Sequence, residues 1–99
     1  MIFEWNELKS AANFAKHGIS FEEAVMIWTG MTVEISEIAR SDNDESRGAT
    51  LGVIGESVYT AIWTMRSDKI RLISVRRARN GEAKAYFEKI QQENSGENL

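Results

Sequence analysis

Between Ala49 and Arg76 three runs rich in apolar residues are separated by two short polar turns, and this spacing leaves few folds open. The runs are Ala49–Ile54, Val58–Met65 and Ile70–Arg76, joined by Gly55-Glu56 and by Arg66-Ser67-Asp68-Lys69. Connections this short cannot carry a crossover, which needs a dozen or more residues, so the three strands pair as an antiparallel meander. A fourth strand precedes them, because Met31, Val33 and Ile35 alternate with Thr32 and Glu34. The polar segment Ser36–Gly48 then reads as a long loop, and loops of that length are often functional.

Helical spacing governs both ends. Ile2–Trp5 alternates briefly, as a short first strand does. Asn6 is placed to cap a helix over Glu7–His17, where Leu8, Ala11, Ala12 and Ala15 recur as an apolar stripe and Gly18 supplies the stop. Ser20 and Glu23 form a capping box for a second helix with Phe21, Ala24, Val25 and Trp28 on one side, ended by Gly30. A last helix over Asn80–Gln92 presents Ala83, Tyr86, Phe87 and Ile90 inward. The order is β-α-α-β-β-β-β-α, which predicts an α+β fold: an antiparallel meander sheet with helices packed on one face. With 99 residues, no Pro and no repeat, the expectation is one domain over residues 1–92 and a polar, frayed tail over 93–99.

Composition narrows the chemistry. The absence of Cys removes disulfides, thiolate nucleophiles and Cys-bound zinc, and His17 as the only His removes any multi-His site, so neither metal nor cofactor is expected. No apolar run spans a bilayer, and Met1–Glu7 is charged and lacks the apolar core of an export signal; the expected location is cytoplasmic. The net charge of -3 hides a basic middle: residues 40–79 sum to +3 between flanks of -4 and -2. Such a strip binds a polyanion locally or is simply a solvated face.

Several residues could carry chemistry. Both faces of Ile70–Arg76 bear apolar side chains, so this strand is central and Arg76, Arg77 and Arg79 stand at the sheet rim. Guanidinium groups there clamp phosphates bidentately, or Arg76 pairs with a carboxylate while the others are solvated. The segment Asp42–Arg47 fails as a calcium loop, since its sixth position is Arg47 and its twelfth Val53. Glu45 could instead act as a general base and Arg47 stabilise phosphate charge, against a plain surface salt bridge. His17, in the last helical turn beside Lys16, interacts favourably with the helix dipole, or serves as a general acid or phosphate contact. Trp28 and Trp63 fit core positions; Trp5 either joins them or stacks on a base. No Ser-His-Asp order, P-loop or dinucleotide fingerprint is present.

As a set, the residues resemble a known family. Trp5, Lys9, Asn13, Lys16-His17-Gly18, Phe21 and Ala24, then Glu45-x-Arg47 with Leu51-Gly52, then Ile73-Ser74-x-Arg76-x-Ala78 with Glu82 and Tyr86, follow in order the pattern of BrnT-type toxins. The resemblance implies a RelE-like ribonuclease fold, a type II toxin–antitoxin role, and a ribbon-helix-helix (BrnA-like) antitoxin through which DNA is contacted indirectly. Residue chemistry placed on those positions gives a metal-independent endoribonuclease. Arg47 and Arg76 would act on the phosphate, His17 or Glu45 as acid or base, and Lys16, Trp5, Arg77 and Arg79 in RNA binding. The alternative is a non-catalytic antitoxin-binding protein acting in operon autoregulation. The chain departs from the pattern in its net acidic last segment, where many relatives are more basic.

Overall fold

The computed structural model describes residues 1–40 and 46–97. The elements are β1 (Ile2–Glu4), α1 (Glu7–His17), α2 (Phe21–Ala24) running into a 3-10 helix (Val25–Thr29), β2 (Val33–Arg40), β3 (Ser46–Ile54), β4 (Ser57–Arg66), β5 (Lys69–Arg77) and α3 (Asn80–Glu97). Local signals account for the helix ends. Asn6 accepts from the N–H groups of Leu8 and Lys9, Ser20 and Glu23 form their capping box, and Gly18 closes α1 in the left-handed conformation at φ 76°.

The α+β class and the element order are as expected, but the sheet is mixed. Its order is β1-β5-β4-β3-β2, with β2 to β5 an antiparallel meander and β1 parallel to β5 through Ile2↔Lys69, Phe3↔Ile70 and Glu4↔Arg71. Turn length dictates the orientation only of strands joined by tight turns; β1 pairs with a strand remote from it in the chain, so no turn constrains its direction. The expected loop Ser36–Gly48 is also largely strand, since β2 reaches Arg40 and pairs through Ala39↔Arg47 and Arg40↔Ser46 beyond an irregularity after Ile35. Backbone bonds pair this stretch, and its polar sequence offers no alternation to read.

Strand parity separates two cores. Leu51, Thr60 and Arg76 lie in one cross-strand row, whereas Ala61 and Val75 point to the other face. On that other face Ile19, Phe21, Ala24 and Ile27 pack with Ala61, Ile70, Leu72 and Val75, flanked by Trp5, Trp28 and Trp63. On the first, Tyr86 of α3 packs with Leu51 and Val58, flanked by Val33, Ala83 and Ile90. The helices are therefore divided between the faces: the short link after β5 sets α3 down on the side opposite α1. This second core is small, so one narrow stripe of α3 suffices; Phe87 is 56% exposed, lying edge-on to Tyr86. The helix continues past Gln92 to Glu97, because polarity governs burial and not whether helical backbone bonds form.

The largest departure is the facing of α1. Its buried residues are Ser10 and Asn13, while Leu8, Ala11, Ala12 and Ala15 are exposed. The Ser10 Oγ accepts from the Phe21 N–H at 2.9 Å, and the Asn13 amide serves three backbone groups. Leaving such groups unpaired costs about 1–3 kcal/mol each, more than burying an alanine methyl gains.

Candidate functional site

The parallel pairing of β1 ends at Arg71, so among the described residues the edge of β5 beyond it has no strand neighbour on that side. Asn13 takes the strand's place. Its Nδ2 donates to the carbonyls of Val75 and Ile19, both at 2.8 Å, and its Oδ1 accepts from the Val75 N–H at 3.1 Å. This docking holds α1 against the free edge. Opposite β4 the register slips between Ile62 and Trp63, leaving Ile73 as an extra residue, and such bulges re-aim side chains.

A cleft of about 220 Å³ opens at this junction, lined by Lys9, Ala12, Asn13, Lys16 and His17 from α1 and by Ile73 and Ser74 from β5. Lys9 and Lys16 are seven residues apart, two helical turns, and so share one side of the helix. The cleft gathers Lys16 and His17 together with Lys9 and Ser74. Both of these stood in the motif set, yet spacing within one helix or one strand could not show that they meet.

Arg76 projects from the same side of β5 as Ser74, one strand period or roughly 7 Å further on. Its guanidinium makes a two-pronged pair with Glu82, Nη1 to Oε1 at 2.7 Å and Nη2 to Oε2 at 2.9 Å. Glu82 Oε1 also accepts from the Arg79 N–H at 2.9 Å and the Thr60 hydroxyl at 3.0 Å. Hydrogen bonding from Arg76, above all, lowers the Glu82 carboxyl to about 2, against the opposing effect of burial; the same bond raises Arg76. Of the two readings of Arg76, the carboxylate pair is the one observed. Glu82 was not singled out for this role, although a Glu three residues after Arg79 is the familiar reach back to a helix's first N–H.

Arg47 extends from the same sheet face as Arg76, by parity with Ala49 and Leu51. Ideal spacings put the two Cα positions roughly 16 Å apart, too far for both to grip from adjacent rows. Arg47 is half-buried, and its Nε is buried without a hydrogen-bond partner among the described residues. Arg77 and Arg79 are exposed at the rim. Trp5 is half-buried against the core, its Nε1–H donating to Glu7 at 2.7 Å. Glu45 lies outside the described residues. Among those described, no group of three or more His, Asp or Glu could hold a metal ion, and no helix is long and apolar enough to cross a membrane.

The fold and this cleft define a small α+β domain with two lysines and a histidine gathered beside one sheet edge. Part of the sequence motif meets there, namely Lys9, Asn13, Lys16, His17, Ile73 and Ser74. The chain belongs to the BrnT family, described as the ribonuclease toxin of a type II toxin–antitoxin system, whose model matches residues 5–82. The matched span takes in the cleft, Arg47, Arg76 and Glu82, and a type II system implies a protein antitoxin as partner. A search of curated proteins finds no match.

Proposed function

We propose that this toxin is an endoribonuclease acting by transesterification, a reaction that needs no metal. The ribose 2′-oxygen attacks the adjacent phosphorus and the bond from phosphorus to the 5′-oxygen breaks. The products carry a 2′,3′-cyclic phosphate and a 5′-hydroxyl. One group accepts the 2′-hydroxyl proton and another donates a proton to the departing 5′-oxygen. His17 is the cleft residue suited to one of these transfers, with Glu45 as the other candidate, and such help is usually worth about 10²–10⁴-fold. Arg76 and Arg47 stabilise charge on phosphates, Lys16 holds the strand in the cleft, and Trp5, Arg77 and Arg79 contact flanking RNA. A ribbon-helix-helix antitoxin neutralises the toxin in the cytoplasm and carries the pair's contact with DNA.

The observation that supports this reading is the meeting of Lys16 and His17 with Ser74 in one cleft, a strand period from Arg76. The test is incubation of the purified toxin with single-stranded RNA in the presence of a chelator, followed by analysis of the ends. Cyclic-phosphate ends, with at least a hundredfold loss in His17→Gln and Arg76→Ala, are expected. RNA left intact by the wild-type protein would sink the proposal. It would favour the second reading, a non-catalytic antitoxin-binding protein of operon autoregulation, which the occupation of Arg76 by Glu82 supports.

A further inference from the structure

The apolar stripe of α1 faces solvent, and nothing in the mechanism above uses it. Leu8 is 82% and Phe14 55% exposed, and Ala11, Ala12 and Ala15 are exposed as well. Single exposed apolar side chains are ordinary, but a contiguous stripe with polar borders marks an interaction site. Leu8, Ala11 and Ala15 recur at i, i+3 and i+7, the pattern by which one helix face receives another. Alanines there allow close approach of a second helix.

We propose that this stripe is the docking surface for an amphipathic helix of the antitoxin, with acidic side chains set against Lys9 and Lys16. The proposal rests on the toxin–antitoxin reading and deepens it by naming the surface. Charge complementarity selects this occupant. Lys9 and Lys16 run along one border of the stripe, so an acidic edge on the incoming helix pairs with both. A second copy of this chain packed antiparallel, α1 on α1, would bring these lysines against their own like. Ala12 belongs to the stripe and also lines the cleft. A helix seated on the stripe therefore lies over the mouth of the cleft and blocks it.

The test uses the full-length toxin and the purified antitoxin encoded beside it. Leu8→Glu, Ala11→Glu and the double variant place repelling charge on the stripe, while Ala15→Gln adds bulk without charge. Because these side chains are exposed, circular dichroism and melting temperature should match wild type, and cleavage of RNA by the free variants should be unchanged. Calorimetry should show antitoxin affinity reduced at least a hundredfold in the double variant and at least fivefold in Ala15→Gln. Affinity within twofold of wild type in the double variant overturns the proposal. So does a wild-type dimer in sedimentation that the double variant dissociates while antitoxin affinity holds, which would assign the stripe to a second copy. A toxin that leaves RNA intact refutes the ribonuclease reading alone, because the affinities are measured without it.

Discussion

Replacing Glu82 with Gln isolates the charge that ties the start of α3 to the end of β5. The side chain keeps its size, so it can still accept from Thr60 and from the Arg79 N–H, but the two-pronged bond to Arg76 loses its anion. A fall from 4.5 to about 2 in the carboxyl corresponds to roughly 3 kcal/mol at about 1.36 kcal/mol per unit, a ceiling for the interaction. Water still reaches 21% of the Arg76 side chain and 26% of that of Glu82, and screening reduces the ceiling. We therefore expect Glu82→Gln to destabilise the fold by about 1.5 kcal/mol at pH 7, which is roughly 6–12 °C in melting temperature for a domain of this size. The sign of the pH dependence follows from the lowered carboxyl. Its contribution is fully present above about 4.5 and is lost as pH falls through about 2, where wild-type Glu82 is itself half neutralised. Thermal melts of both proteins from pH 7 down to pH 2 measure the difference. Equal melting temperatures at pH 7, or a gap that does not narrow between pH 5 and pH 2, would refute the reasoning.

Two further substitutions test how the edge site is held. Asn13→Ala should cost at least about 2 kcal/mol in urea unfolding, because the Val75 N–H and two carbonyls lose their partner; a neutral result would show that α1 is not docked by this amide. Gly52→Ala should cost about 1–3 kcal/mol, since a Cβ there would sit 2.7 Å from Ile27 Cγ2 and 2.9 Å from its carbonyl oxygen, and backbone cannot swing aside. An unchanged urea midpoint would mean that the 3-10 helix shifts freely over β3.

Local rules carried most of the architecture. Asn6, Ser20 with Glu23, and Gly18 act through atoms within a few residues of themselves, so their helix ends were legible. The meander was legible for the same reason: two tight turns permit only antiparallel neighbours. Trp28 and Trp63 could be assigned to the core from the strand and helix periods alone. What the sequence could not determine depends on which groups meet across long separations. Asn13 faces inward and Leu8 outward because unpaired backbone at the edge of β5, 62 residues away, outweighs the apolar stripe of α1. The parallel placement of β1, the division of helices between two faces and the strand pairing within 36–48 are likewise long-range outcomes. The site follows the same division. The cationic residues could be named one by one from their chemistry. Only tertiary structure set Lys9, Lys16 and His17 against Ser74 and closed Glu82 onto Arg76, because hydrogen bonds and ion pairs act over a few ångströms in space, however far apart their partners lie in the chain.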